Sequence, residues 1–267
     1  MTVSVLMATR ANEGWARYLP DLLGQTIPPD QVIVVVDRAT DEAERETFGR
    51  QWPRVDFVFN DANLGVTRSL IRGLAAATGE YVFRADDDDS YRQDRIEKQL
   101  ALFATSGADL VFSWAEGIAT GQEARPYLIS CPESDAEIRA ALCRRNVLIH
   151  ASLAFRREAV LAFGGYDSTF VNAQDYALYL AAMRAGLRFA AVPEPLVRRS
   201  YTGLSITVGR RYHQLMYSCA ARAVHHAHTA ERLEFIRTLF EYALLAVTPI
   251  WVRRLRRQVY ALLGRGA

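Results

Sequence analysis

Residues 79–89 read Gly-Glu-Tyr-Val-Phe-Arg-Ala-Asp-Asp-Asp-Asp, so a short apolar run leads directly into four consecutive aspartates. The run 81–84 has the length and composition of a buried strand, which places aspartates 86–89 at its carboxyl end. The same arrangement occurs earlier, where the apolar run 32–36 ends at Asp37. Such runs are typical of parallel strands covered on both faces, and parallel sheets bind ligands outside the carboxyl ends of their strands. We therefore expect Asp37 and the four aspartates to face one crevice.

The segments around this stretch alternate between strand and helix patterns. Further strands are predicted at 3–8 and 55–59, with helices at 15–23, 41–50 and 67–77. This alternation predicts an α/β fold with a mainly parallel sheet flanked by helices. The second half is more mixed, with strands at 108–114, 151–155 and 189–192, the last ended by Pro193, and helices at 135–143 and 173–185. We place a ligand-binding domain over 1–208 and a helical C-terminal extension over 209–267.

The acidic run has two interpretations, a metal site and a solvated loop. Asp86 and Asp88 are one residue apart on a turn after a strand, so their carboxylates can converge on one hard cation. Mg²⁺ and Mn²⁺ prefer such oxygen ligands and keep positions open for substrate phosphates. The alternative is a solvated loop in which Ser90 caps a helix over 91–103.

Composition limits the class of protein. The chain has 267 residues, half of them hydrophobic, and a formal net charge of +2, which does not point to nucleic acid as a partner. The three cysteines show no metal-ligand spacing, and we interpret them as buried thiols in a reducing compartment. The first residues match a strand rather than a signal peptide, and no run of about 18 apolar residues predicts a spanning helix. We expect a cytoplasmic protein.

Several motifs in this order resemble glycosyltransferase family 2, whose members have the GT-A fold. The resemblance covers roughly residues 3–207, and no single motif carries it alone. The matching segments are the opening strand Ser4–Thr9, Gln25-Thr26 with Pro28 before 32–37, Asn63-Leu64-Gly65, Gly79-Glu80-Tyr81, the Asp-x-Asp motif within 84–89, and Asn172-Ala173-Gln174-Asp175-Tyr176.

The resemblance implies a nucleotide diphosphate sugar as donor, with UDP-sugars favoured by the family. Thr9 and Asp37 would contact the base and ribose, and Arg68 would lie near the diphosphate. Asp86 would approach the ribose or the metal, with Asp87 beside it in the donor site. Asp88 would bind Mg²⁺ or Mn²⁺, which stabilises the charge of the leaving diphosphate.

The resemblance also implies that Asp175 is the general base, which removes the proton of an acceptor hydroxyl. Direct attack by that hydroxyl would invert the anomeric centre. The neighbouring Gln174, together with Tyr166 and His150, are candidates for the acceptor site. The alternatives are that Asp175 pairs near Arg184 as part of a helix, and that His150 is a structural histidine.

The chain departs from the family at three positions. Arg38 follows Asp37 where the family often has a second aspartate, so part of the donor pocket differs. Gln174 replaces a frequent glutamate before the base, which removes one like charge. Thr202 stands where many members carry a histidine after the Pro-Glu-Pro-like segment, so a water would complete the metal shell there.

The C-terminal segment is apolar over most of 239–252 and basic afterwards, with five arginines and no acidic residue from Pro249 to the end. An arginine-rich amphipathic helix is suited to an anionic membrane surface, here the inner face of the cell membrane. That location would suit a carbohydrate acceptor carried on a lipid, as in polysaccharide assembly. The alternative is packing on the catalytic domain or in a dimer. His225, His226 and His228 are expected on a solvated helix face.

Two other functions fit the sequence less well. A nucleotidyltransferase would show a glycine-rich, basic triphosphate loop near the first strand, and residues 8–14 contain only one arginine and one glycine. A catalytically silent binding or scaffold protein would have lost the base or the metal pair, whereas Asp86, Asp88 and Asp175 are all present. A Rossmann dehydrogenase is excluded because no GxGxxG motif follows the first strand.

Overall fold

A computed structural model describes residues 1–119, 126–201, 211–229 and 231–247. Its nine strands form one sheet in the order β3-β2-β1-β4-β8-β6-β9-β5, with β7 beside β6. The strands are β1 (Val3–Thr9), β2 (Gln31–Val36), β3 (Asp56–Phe59), β4 (Tyr81–Ala85), β5 (Asp89–Tyr91), β6 (Leu110–Ala119), β7 (Tyr127–Ile129), β8 (Ala154–Arg156) and β9 (Phe189–Tyr201).

Helices cover both faces of the sheet. They are α1 (Leu19–Leu23), α2 (Glu42–Gln51), α3 (Val66–Ala76), α4 (Arg95–Ser106), α5 (Asp135–Leu142), α6 (Arg157–Ala162), α7 (Gln174–Arg184), α8 (Arg211–His228) and α9 (Arg232–Val247), with a short 3₁₀ turn at His150–Ser152. This arrangement confirms the predicted α/β fold. Among the described residues, no helix is long and apolar enough to cross a membrane.

The first four strands are parallel, and their register sets the edge of the crevice. Thr9 of β1 pairs with Val36 of β2, and Met7 pairs with Ala85 of β4. Asp37 and Asp86 are the next residues after Val36 and Ala85, so both leave the sheet on either side of the end of β1. The predicted common edge is therefore present.

Two apolar layers hold the sheet between the helices. One contains Val5, Met7 and Val34, and the other contains Leu6, Ile33 and Val35, because successive residues of a strand point to opposite faces. α3 lies so close to the sheet that a Cβ at Gly73 would come 2.2 Å from Leu6 Cδ1. A side chain there would force the Leu6 and Val35 side chains, or α3 itself, to shift.

The second half of the sheet is mixed. β8 is antiparallel to both β4 and β6, whereas β6 and β9 are parallel. The prediction that a strand ends at Pro193 was wrong: β9 continues through Pro193 and Pro195 to Tyr201. Proline has no N–H to donate to the sheet, so within strands it is confined mainly to edges and irregular positions. Here the register shifts on either side of Trp114 accommodate both prolines.

Two other local predictions were corrected. Ser90 does not cap a helix, because it lies in β5, and α4 begins at Arg95 with Asp94 at its N-cap position. The helix expected over 15–23 is reduced to Leu19–Leu23. β5 forms by pairing with β9, whose residues are about a hundred positions away, so no local pattern announces it.

The C-terminal helices form a pair in which α8 contacts both α7 and α9. The prediction of a solvated histidine face was wrong for two of its three members: His225 and His226 are buried, and only His228 is exposed. The predicted domain boundary at 208, Thr202 and the basic segment after 247 lie outside the described residues.

Candidate active site at the carboxyl edge of the sheet

Asp37 holds the loop that precedes α3. Its Oδ1 accepts hydrogen bonds from Asn60 Nδ2 at 2.7 Å and from the Leu64 backbone N–H at 2.7 Å. Its Oδ2 accepts from the Gly65 N–H at 2.9 Å. A carboxylate offers about four acceptor positions, so Asp37, which is buried, is largely occupied by its own protein. Its contact with a nucleotide stays a prediction, and its structural role is to shape this loop.

Thr9, at the end of β1, and Asp87, just after β4, are connected by a hydrogen bond. The Thr9 hydroxyl donates to Asp87 Oδ2 at 2.5 Å and accepts from the Ala11 N–H at 2.9 Å. Arg68 lies on the first turn of α3, where its side chain is exposed and makes no ion pair with the described residues. The structure thus brings Thr9, Asp87 and the start of α3 to the same edge of the sheet.

A buried arginine balances the acidic loop. Arg84 is almost fully buried, and its Nη2 lies 2.5 Å from Asp86 Oδ1. Burial acts to raise the pKa of Asp86, but Arg84, His150 and Arg199 together outweigh it and the pKa is lowered overall. Burial likewise acts to lower the pKa of Arg84, and Asp86 together with Tyr166 and Tyr91 reverses this. Asp86 is therefore ionised and tied to Arg84.

The carboxylates of Asp86, Asp88 and Asp89 have one oxygen each within 4.8 Å of the others. Burial raises the pKa of Asp88 to about 6, with further contributions from Asp86 and Asp87. Burial and Asp86 also raise the pKa of Asp89, whose Oδ2 is shielded from solvent and accepts no hydrogen bond within the described ranges. Asp89 Oδ2 lies 3.6 Å from Arg199 Nε, an ion pair too long to be a hydrogen bond. Crowded oxygen donors with a buried carboxylate oxygen that accepts no hydrogen bond fit a hard divalent cation, which would favour the ionised forms.

One aromatic side chain, Tyr91, and one basic side chain, Arg95, support the acidic loop. The Tyr91 hydroxyl accepts a hydrogen bond from the Asp86 N–H at 2.6 Å and donates to the Asp86 carbonyl at 3.1 Å. The guanidinium of the buried Arg95 lies 4.9 Å from the centre of the Tyr91 ring, and its Nη2 donates to the Arg84 carbonyl at 2.9 Å. These contacts fix the turn that presents Asp88.

Asp175 lies in the first turn of α7, on the opposite side of the crevice. Its Oδ2 accepts a hydrogen bond from Asn146 Nδ2 at 2.8 Å, whereas its Oδ1 is shielded from solvent without a partner in the described parts of the chain. Burial raises its pKa, although the bond from Asn146 acts in the opposite direction. Ala173, just before α7, has a left-handed φ of 54°, a conformation that costs a non-glycine residue about 1 kcal/mol.

The Tyr166 hydroxyl interacts electrostatically with both Asp175 and Asp86. Burial raises the pKa of its hydroxyl, and both Asp175 and Asp86 contribute in the same direction, so the three side chains share one region. The His150 Nε2 lies 2.9 Å from the Tyr166 hydroxyl. Burial, followed by Arg84, lowers the pKa of His150 to about 3, so this imidazole is neutral. Gln174 is partly exposed at the start of α7.

The structure places the predicted residues in two neighbouring groups. Asp86, Asp87 and Asp88 follow β4, whereas Asp175 begins α7 with Tyr166 and His150 nearby, and the charge of Asp86 acts on all three of these side chains. Sequence reasoning missed Arg84, Asp89 and Asn146. A charged residue inside an apolar strand was a usable signal for Arg84, since a buried arginine requires a partner. Asn146 is 29 positions from Asp175, and only the tertiary structure brings them together.

Known proteins share the sequence and the fold. The E. coli UDP-Gal:alpha-D-GlcNAc-diphosphoundecaprenol beta-1,3-galactosyltransferase is 24% identical over 94% of this chain and 91% of its own. The amylovoran biosynthesis glycosyltransferase AmsE of Erwinia amylovora is 28% identical over 70% of each chain. The S. aureus TarS 1–349 structure in complex with UDP-GlcNAc superposes with a TM-score of 0.66 at 13% identity, over 92% of this chain and 81% of that one.

A second solved structure, the mannosyltransferase PcManGT from Pyrobaculum calidifontis in complex with GDP-Man and Mn²⁺, gives a TM-score of 0.61 at 19% identity. It covers 97% of this chain and 79% of its own, and likenesses at this identity show the fold alone. The family described as Glycosyl transferase family 2 matches residues 4–163, more than half of the chain and including the whole acidic loop. The chain therefore belongs to glycosyl transferase family 2 and is a glycosyltransferase.

Proposed function

We propose that this glycosyltransferase moves a sugar from a nucleotide diphosphate donor, with UDP-sugars favoured, to an acceptor hydroxyl with inversion of the anomeric carbon. One observation carries the proposal: the carboxylates of Asp86, Asp88 and Asp89 are clustered, and the charge of Asp86 acts on Asp175, whose buried Oδ1 accepts no hydrogen bond from the described residues. The E. coli relative is named for transfer from UDP-Gal, and the TarS structure with the same fold contains UDP-GlcNAc. Both support a uridine donor.

Asp88 and Asp86 are the proposed ligands of Mg²⁺ or Mn²⁺, with Asp89 as a third. A divalent cation bound there supplies positive charge opposite the diphosphate of the donor. Arg84 keeps Asp86 ionised, and Thr9 holds Asp87 beside the pair. Arg68 and Asp37 stand at the same edge, where they serve as further donor-binding residues in this proposal.

Asp175 is the proposed general base. In the proposed step, the acceptor oxygen forms a bond to the anomeric carbon while the bond from that carbon to the diphosphate oxygen breaks. The nucleotide diphosphate leaves with the bonding electron pair, and the acceptor proton passes to Asp175 Oδ1. A raised pKa makes this carboxylate a better proton acceptor than an exposed aspartate. Since one displacement occurs, the configuration at the anomeric carbon inverts.

The acceptor is proposed to be a carbohydrate or a lipid-linked carbohydrate, in bacterial polysaccharide or glycolipid assembly. The E. coli relative is named for an acceptor carried on diphosphoundecaprenol, and AmsE is named for amylovoran biosynthesis. Gln174 precedes Asp175, the charge of Asp175 acts on Tyr166, and His150 lies against Tyr166. These three residues are the proposed acceptor contacts. A neutral His150 hydrogen-bonded to Tyr166 is suited to orienting a sugar hydroxyl.

α9 is proposed to lie on the anionic inner face of the cell membrane, where a cytoplasmic enzyme meets a lipid-linked acceptor. Leu233, Ile236 and Phe240 follow one another at helical spacing and are 82%, 61% and 68% exposed. The next segment of the sequence adds four arginines between 253 and 257. Apolar contacts and basic residues together suit an anionic interface.

Vesicle flotation tests the membrane proposal. The full chain is expected to bind vesicles that contain phosphatidylglycerol, and an Ile236→Glu/Phe240→Glu variant is expected to bind less. Leu128→Glu is the matched control, since Leu128 is an exposed leucine on β7. Equal binding by the double variant and the control would contradict a role for α9.

Donor binding tests the central proposal. The melting temperature is measured with a panel of nucleoside diphosphates and nucleotide sugars, each with and without Mn²⁺. A ligand that binds the folded state raises its stability according to its concentration relative to Kd. A metal-dependent shift with uridine compounds is expected. A shift with guanosine compounds alone would overturn the uridine preference, and no shift with any nucleotide would overturn the donor site.

A further inference from the structure

Two adjacent histidines form an unassigned cluster where α7, α8 and the start of α9 meet. His225 and His226 are 2% and 1% exposed, although imidazole is a polar group that rarely lies buried without hydrogen-bond partners. Each ring has one nitrogen engaged and one nitrogen without a partner. The bare atoms are His225 Nδ1 and His226 Nε2, both shielded from solvent among the described residues.

The engaged nitrogens hold both rings in place. His226 Nδ1 lies 2.6 Å from Glu231 Oε2, and Glu231 in turn donates its backbone N–H to the His226 carbonyl at 3.2 Å. His225 is hydrogen-bonded to the backbone of Leu180 on α7. A histidine that binds a metal commonly gives its other ring nitrogen to a carboxylate or a backbone carbonyl, which fixes the tautomer and the ring orientation. His225 has this arrangement, whereas His226 already has its Nδ1 on the Glu231 carboxylate, the oxygen donor that would share the ion.

We propose that His225 and His226, with Glu231, bind a divalent transition metal of the zinc class at the α7–α8–α9 junction. One nitrogen of each ring and one Glu231 oxygen lie within 4.8 Å of one another, close enough for small rotations to bring them to one ion. Imidazole with carboxylate suits zinc and its neighbours, whereas the aspartate loop offers only hard oxygen donors. The two sites therefore differ in the metal they select.

The charge state of the cluster agrees with this assignment. Glu231 supplies the negative charge, and its partly exposed carboxylate faces solvent, which gives an ion a way in. A bound ion would tie α8 to the start of α9, and the bond from His225 to the Leu180 backbone places this cluster against α7, the helix that begins with the proposed base.

Calorimetric titration of the purified full chain with Zn²⁺, in excess Mg²⁺ to occupy the aspartate loop, tests the proposal. One zinc site is expected, together with a higher melting temperature. His226→Ala should abolish that site, and Glu231→Gln should weaken it by more than about tenfold, the lower end of the range for outer-shell partners, because Glu231 is itself a proposed ligand. His228→Ala is the matched control, because His228 is exposed on the same helix and bonds only its own backbone turn in the described region.

An Asp88→Asn variant should retain the site, which separates it from the aspartate loop. Circular dichroism establishes that each variant is folded, and Glu231→Gln serves if burial makes His226→Ala unstable. Absence of zinc binding by the folded wild-type chain would overturn the proposal. Zinc binding that is unchanged in both His226→Ala and Glu231→Gln would overturn it as well.

Discussion

The acidic loop 86–89 and the start of α7 both present carboxylates to the crevice, but they are built differently. In the loop, four aspartates are crowded together and their charge is offset close by, with Arg84 two residues before Asp86. At α7, Asp175 stands alone, and its hydrogen-bond partner Asn146 comes from a distant part of the chain. A crowded charge cluster is therefore visible in one short segment, whereas the surroundings of a single carboxylate, here the proposed base, are assembled by the fold.

The largest expected effect concerns the single carboxylate. Asp175→Asn should lower turnover by about 10²–10⁴-fold, because an amide cannot accept the proton that general-base catalysis removes. The affinity for the donor should stay unchanged, since Asp175 lies on the other side of the crevice. Sugar transfer, or hydrolysis of the donor when the acceptor is absent, measures this. Near-normal turnover would show that another group is the base.

Breaking the charge balance of the loop should reduce stability. Arg84→Met leaves the Asp86 carboxylate partly buried without its cation, and breaking a buried ion pair in this way costs about 3–5 kcal/mol. Urea unfolding measures the free energy of unfolding, and Arg84→Lys, which keeps the charge, should lose less. Equal losses in both variants would mean that packing of the guanidinium matters more than its charge.

A smaller effect is expected from the partner of Asp175. Asn146→Ala should lower kcat about tenfold, in the range seen for residues that orient a functional group, while KM for the donor stays unchanged. The bond from Asn146 favours the ionised carboxylate, so its loss should raise the pKa of Asp175 and move the acidic limb of the pH–rate profile to higher pH. An unmoved limb would assign Asn146 a purely structural role.

The smallest effect is on stability as a function of pH. Because burial raises the pKa of Asp175 in the folded state, the wild-type chain loses stability as pH rises from the ordinary aspartate pKa through the folded one. Asp175→Asn lacks this loss, so it should melt at a higher temperature than wild type at pH 7. The difference should disappear below about pH 4, where the carboxyl is protonated in both states. A variant less stable than wild type at pH 7 would contradict the account.

The positions of the residues on the proposed donor side could be predicted from the sequence more fully than those around Asp175. Thr9, Asp37 and Asp86 end neighbouring parallel strands, and strand order with register suffices to bring them together. Burial of Asp89 in β5 depends on pairing with β9, and no local pattern encodes that contact.

The same limit explains the histidines of α8. Helical periodicity places His225 and His226 on a helix, but only packing against α7 decides that both are buried. Prolines in β9 misled the prediction for a related reason, because a register shift beside Trp114 accommodates them. Sequence patterns report local preferences, and these contacts are decided by the whole fold.

Metal-dependent donor binding by two variants tests the division of the crevice most directly. Calorimetry with the nucleotide that binds wild type, in Mn²⁺ and in chelator, compares Asp88→Asn with Asp175→Asn. We predict that Asp88→Asn loses the part of the affinity that depends on metal, whereas Asp175→Asn binds donor as wild type does and fails only in transfer. Metal-dependent binding that survives in Asp88→Asn, or disappears in Asp175→Asn, would contradict the assignment of metal binding to the loop and proton removal to α7.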